Sequence, residues 1–310
     1  MDETDDLGFL GRLHDGVFTT AEAAGLGVSR EALTRAVKAR TLRRLARGLY
    51  ATGAAAARPE DRHLELCRAL RVEYPDASLA GRSAVVALGL PTWGLPLGTA
   101  LLHRPVERQL KRSGATIRPL DPVVDLRDTA FGPVEPPFAA LVGVALDHGT
   151  VAAVVSVDAA MHRGIVTLDG LTGEVARRAG HRHVQRALAM LRLVDAASES
   201  PGESRTRVTL ESLGLELDSQ VEVRDEDGEL VGRVDLAVRG TKVLIEFDGA
   251  VKYSAGGPEA VIAEKRREDR LRELGYVVVR VMWDDLAHPE RLLARVRRAM
   301  ALAERLTAGA

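Results

Sequence analysis

Cysteine is nearly absent from this sequence. Its 310 residues hold one, Cys67, which excludes an internal disulfide framework and a cysteine-based zinc site. Lysine is scarce too: five (Lys38, Lys111, Lys242, Lys252 and Lys265) stand among 43 basic residues, so arginine is the default cation. A large charge of one sign is also missing. The formal net charge is -1, so contact with nucleic acid would have to come from local basic patches. No apolar run approaches the roughly 20 residues of a membrane-spanning helix. The opening, MDETDDLGFL, is acidic where a secretory signal would be basic, so a cytoplasmic protein without membrane contact is expected. What the chain does have, 46% hydrophobic and 28% charged residues, suits two or three folded domains.

The first folded stretch reads as two short helices and a hairpin. Thr19 or Thr20 can cap a helix over Ala21 to Leu26, Gly25-Leu26-Gly27 ends it, and Ser29 can cap a second helix to about Arg40. Two short helices joined by a glycine-containing turn predict a helix-turn-helix. Arg30, Arg35, Lys38 and Arg40 decorate the second helix, the expected recognition helix. The following stretch, Leu42 to Tyr50, alternates apolar residues with Arg43, Arg44 and Arg47 as a basic wing would. Arg30, Arg35, Lys38, Arg43, Arg44 and Arg47 are therefore the candidate DNA contacts, through phosphates and base edges. The pattern carried by Thr20, Ala24, Gly27, Ser29, Leu33, Arg44, Gly48 and Tyr50 resembles the N-terminal winged helix of abortive-infection type IV antitoxins. That resemblance implies repression of an operon promoter and a nucleotidyltransferase toxin as partner.

The middle of the chain is less informative. An amphipathic helix is expected from Pro59 to about Tyr74, then a helix around Ser83 and strands near residues 100–103, 115–120 and 123–126. His103, Asp121, Asp125 and Asp128 match no metal-ligand spacing and are read as loop acids and a strand-end histidine. Apolar helices are expected over 138–147 and 151–163. A further helix runs from Leu168 through the basic stretch around His181 and His183 to Leu193. The region resembles the segment that follows the winged helix in type IV antitoxin-like proteins, with scaffolding or partner binding as the implied role.

Chemistry concentrates near the C-terminus. Val234, Leu236 and Val238 alternate with Asp235 and Ala237 as a half-buried strand, Arg239 to Lys242 supply a turn, and Val243-Leu244-Ile245 begin a more buried strand. Asp235 lies near the middle of the first strand, and Glu246 and Asp248 end the second on a common face. Carboxylates gathered at a strand end repel one another unless a cation neutralises them, and oxygen-only ligands suit Mg²⁺ or Mn²⁺. A helix over 258–274, a buried strand over 276–281 and a last helix over 290–306 complete an order of helix, strand, strand, helix, strand, helix.

Five segments in order resemble the PD-(D/E)XK nuclease superfamily, in particular its very-short-patch repair endonuclease branch. They are Glu199 to Ser204, Gly232-Arg233-Val234-Asp235, Ile245 to Gly249, Glu264 to Arg272 and Gly275 to Arg280. The resemblance implies a DNA endonuclease in which Asp235 and Glu246 hold Mg²⁺ and Glu203 adds a ligand or orients a water. It also departs from the pattern, because Asp248 stands where the superfamily has its lysine. Lys252 and Lys265 follow the acid pair and are the candidate replacements.

Taken together, the sequence predicts a multidomain α/β protein. A winged helix-turn-helix occupies residues 1–55 and an α/β middle region 56–197. A restriction-endonuclease-like mixed sheet flanked by helices occupies 198–310. Two functions follow: a Mg²⁺-dependent endonuclease in phage defence or repair, or a non-catalytic repressor and antitoxin.

Overall fold

The computed structural model describes residues 8–120, 125–249 and 258–308. The chain divides into two compact units, Met1–Ser156 with Val166–Ala189, and Val157–Ile165 with Met190–Ala310.

The first unit opens with strand β1 (Val17–Thr19) and helix α1 (Thr20–Gly25). Thr19 is the cap: its Oγ1 accepts from the Glu22 N–H while the Glu22 carboxylate accepts from the Thr19 N–H, so two amides that a helix start leaves unpaired are satisfied at once. Ser29 caps α2 (Arg30–Lys38) through the Ala32 N–H at 3.1 Å. Strands β2 (Leu42–Ala46) and β3 (Leu49–Thr52) form the wing, and β3 lies between β1 and β2 in an antiparallel sheet. Phe18 and Tyr50, paired across that sheet, stack at 5.7 Å over a core of Ala23, Val28, Leu33, Ala36 and Leu42.

Helix α3 (Pro59–Glu73) follows, with Pro59 at its first turn where the missing N–H costs nothing. A six-stranded sheet comes next, in the order β6-β7-β5-β4-β9-β8. Its strands are β4 (Ser78–Leu79), β5 (Ala100–Arg104), β6 (Leu110–Arg112), β7 (Ala115–Pro119), β8 (Arg127–Thr129) and β9 (Gly132–Val134). Helix α4 (Gly81–Ala87) and the largely buried α5 (Pro137–His148) belong to the same unit. Beneath them His63 donates or accepts at both ring nitrogens, to the Leu97 carbonyl at 2.7 Å and the Ser83 hydroxyl at 2.9 Å. Cys67 is wholly buried nearby, and burial pushes its thiol up to about 12.

Helix α6 spans Thr150–His162. The expected single helix from Leu168 to Leu193 is two helices, α7 (Leu168–Arg177) and α8 (Val184–Leu193). Gly180 sits in the break, where a helix interior would lose about 1 kcal/mol relative to alanine. Arg177 and Arg178 at the end of α7 turn back onto the buried Glu174 instead. Of the expected strand over 123–126, residues 123 and 124, like Asp121, lie outside the described residues, and the strand found here starts at Arg127.

The second unit carries α9 (Pro201–Ser212), then β10 (Leu217–Arg224), β11 (Leu230–Val238) and β12 (Val243–Phe247). It closes with α10 (Pro258–Glu273), β13 (Val277–Val281) and α11 (Pro289–Ala308). The sheet order is β10-β11-β12-β13, antiparallel except for the parallel pair β12–β13. Three strands rather than two therefore precede α10. On one side of the sheet Leu236, Val243 and Ile245 pack with Leu210 of α9 and Leu292 and Val296 of α11. A second cluster joins Leu244 to Leu271 of α10. Arg207 of α9 is buried and pairs with the buried Asp158 of α6 at 2.8 Å, also reaching the Leu193 carbonyl.

Candidate nucleic-acid interface and carboxylate site

The acids proposed from the sequence as metal ligands, Asp235, Glu246 and Glu203, all lie in the second unit. Asp235 is half-buried near the end of the β11–β12 pairing, and its Oδ2 accepts the Phe247 N–H at 2.7 Å. Glu246 shares the side of Leu244, toward α10, where its Oε1 accepts from Arg267 Nη2 at 2.6 Å. Arg267 also grips Glu264, and these two acids hold its guanidinium even more firmly protonated than usual. Glu203 is nearly buried at the start of α9. Its Oε2 accepts from the Glu199 N–H and from Gln220 Nε2, each at 2.9 Å.

Gln220 is a member of this corner that sequence reasoning missed. Its neighbours Ser219 and Val221 pair with Leu236 and Val234, which leaves Gln220 opposite Asp235. Its φ of 53° is left-handed, a conformation rare for a residue other than glycine, and its side chain is thereby aimed at Glu203. Arg267 was legible only as one basic residue among several on a mixed-charge helix.

Asp248 continues the strand pair by one bond, its N–H donating to the Val281 carbonyl at 2.8 Å. Lys265 is exposed on α10, and Lys252 lies outside the described residues. Among the described residues no three histidines, cysteines or carboxylates gather as a metal site would require. The donor chemistry of Asp235, Glu246 and Glu203 suits a hard cation, but each carboxylate is engaged here by protein donors, and Glu246 has a guanidinium for its positive partner.

In the first unit, α2 buries Ala32, Leu33 and Ala36 and exposes the other side. Arg30, Thr34 and Lys38 stand at i, i+4 and i+8 on that exposed side, with Arg35 beside them. In the wing, Arg44 and Arg47 are exposed. Arg43 is not presented in the same way. Its guanidinium forms a two-point pair with Glu65 of α3, at 2.7 Å on one side, and donates to the Gly53 and Thr52 carbonyls.

Residues 9–53 match the family model described as a transcriptional regulator, AbiEi antitoxin. This stretch is an AbiEi antitoxin-type DNA-binding regulator domain. The match spans β1, α1, α2 and the wing, and every candidate DNA contact falls inside it. Two uncharacterised proteins, from two strains of Mycobacterium tuberculosis, are each 30% identical to the chain over 148 residues. The shared part is 47% of this chain and 54% of each relative, so the chain spans about half the length of the curated relatives it matches.

The AbiEi-type domain is anchored by residues beyond its own boundary. Glu65 holds Arg43, and the Arg47 N–H at the wing tip donates to Ser113 Oγ at 2.9 Å. Gly114 lies so close to the wing that a Cβ there would come within 2.9 Å of the Ala46 Cβ. Among the described residues no helix is long and apolar enough to cross a membrane.

Proposed function

We propose that the chain is a transcriptional regulator of the antitoxin kind, binding the promoter of its own operon through α2 and the wing. One observation carries this reading. The matched domain presents Arg30, Thr34 and Lys38 in a row on the exposed side of a well-capped helix, with Arg44 and Arg47 exposed on the wing. Those cations would neutralise phosphates, and the N-terminal residues of α2 would read base edges. A toxin partner accords with the antitoxin match, and a nucleotidyltransferase is the finer expectation from the sequence resemblance. The test is a binding titration of the full chain against labelled DNA from upstream of its gene. Arg30→Ala with Lys38→Ala should abolish preference for that DNA over a scrambled duplex, and unchanged preference would remove α2 from the interface.

A second reading, a DNA endonuclease, is favoured by Asp235 lying opposite Gln220 in the sheet while Gln220 also holds Glu203. Under it Asp235, Glu246 and Glu203 would hold Mg²⁺ or Mn²⁺. Such an ion, when bound, supplies charge neutralisation at the phosphate and a more acidic water. Asp248, with Lys252 or Lys265 in place of the superfamily lysine, would orient that water. Arg267 competes for Glu246, so Arg267→Ala should tighten Mn²⁺ binding measured by calorimetry, and Glu246→Gln should weaken it. Cleavage of plasmid or mismatched duplex that requires Mn²⁺ and is lost in Asp235→Ala would establish the enzyme. Intact DNA binding without cleavage would leave the regulator alone standing.

A further inference from the structure

A cleft of 530 Å³ in the first unit is lined by His14, Asp15, Glu22, Arg68, Arg71 and Phe131, with Val72, Pro75 and Ala130 as apolar wall. Volumes of this order accommodate small-molecule ligands. Its rim is strained: His14 and Asp15 both take left-handed backbone angles, φ 43° and 54°. That turn runs directly into β1. His14 Nε2 meets Glu22 Oε1 at 2.8 Å, and Glu22 is the carboxylate that caps α1.

The charges in the cleft are unevenly matched. Both oxygens of Glu22 are taken, one by His14 and the other by the Thr19 N–H and hydroxyl. Arg71 gives Nε and Nη1 to the Ala77 and Phe131 carbonyls, which cancel no charge. Arg68 meets Asp15 at 3.3 Å through Nε, but the Asp15 side chain is 80% exposed and so only weakly held. The same guanidinium lies 5.6 Å from the centre of the Phe131 ring. A guanidinium with a loosely held partner, a second cation in the same lining, an aromatic ring and an apolar wall make a site for an anion with a flat apolar body.

We propose that this cleft binds small aromatic carboxylates, the ligand carboxylate replacing Asp15 on Arg68 while its ring lies against Phe131 and the wall of Val72, Pro75 and Ala130. Such a ligand would act on the turn that leads into the winged helix. The binding itself does not depend on the DNA-binding reading and is measured without DNA.

Calorimetry on the full chain, with phenylacetate and indole-3-acetate each compared with its neutral amide, tests the proposal. The acids should bind at least about tenfold more tightly than the amides, as expected for charge-assisted bonds. Arg68→Gln should erase that preference and Arg68→Lys should retain part of it. Asp15→Asn, which removes the competing carboxylate and keeps a residue tolerant of the left-handed turn, should tighten the acids by about two- to fivefold. Acids and amides binding alike, no binding by either acid, or weaker acid binding in Asp15→Asn would overturn it.

Discussion

Glu135 and His103 face one another at 3.7 Å with opposite demands for protons. Burial pushes the Glu135 carboxyl up from 4.5 to about 7, against the opposing pull of the Gly81 N–H and of Arg178. Burial, helped by Arg118 and Arg178, pushes the His103 imidazole down from 6.5 to about 4. Glu135 takes up a proton on folding, so its contribution is complete below about 4.5 and is lost as pH rises through about 7. His103 releases one, so its contribution is complete above about 6.5 and is lost as pH falls through about 4. In wild type the two slopes oppose each other between these limits. Glu135→Gln should leave a protein whose stability rises from pH 4 to 6.5, and His103→Gln one whose stability falls from pH 4.5 to 7. At about 1.4 kcal/mol per unit, each effect is at most a few kcal/mol, and urea unfolding across that range would measure it.

Single elements rest on contacts of two kinds. The start of α1 is local: Thr19 and Glu22 are three residues apart, and that spacing was visible in the sequence. Thr19→Ala should cost about 1 kcal/mol in urea unfolding, since the Glu22 N–H loses its acceptor. The start of α9 is not local. A Cβ on Gly202 would come within 2.0 Å of the Phe247 ring, which is itself held edge-on against Trp283 at 4.9 Å. Gly202→Ala should therefore destabilise the second unit by about 1–3 kcal/mol, and Phe247→Leu in the same chain should restore part of the loss.

That contrast explains which parts of the fold the sequence disclosed. Caps, glycine turns and apolar runs such as Val243-Leu244-Ile245 are written in neighbouring residues, and the wing, β11, β12 and the terminal helices could be located from them. Strand β10 could not, because Leu217, Val221 and Val223 are diluted by Asp218, Ser219, Gln220 and Glu222 on an exposed edge. Arg43 read as a DNA contact because its partner Glu65 lies 22 residues away, and nothing in a basic strand announces a distant acid. The corner of Asp235, Gln220 and Glu203 depends on strand register, which a residue pattern alone does not fix.

At the scale of the whole molecule, DNA affinity has to be read against a net charge of -1. With no bulk positive field, binding should follow the few exposed cations of the AbiEi-type domain and fall steeply with salt. In the full chain, Arg44→Ala and Arg47→Ala should each flatten the plot of log affinity against log salt by about one unit. Arg43→Ala should leave that slope unchanged and instead lower thermal stability, because it leaves Glu65 without its guanidinium. The lone Cys67 offers a different kind of access to the molecule. A thiol this deeply buried and this reluctant to ionise reacts with a disulfide reagent only while its surroundings are open. The chain thus carries a built-in clock: the rate at which Cys67 is labelled, as reagent concentration is raised, counts how often the first unit opens, with no engineered probe.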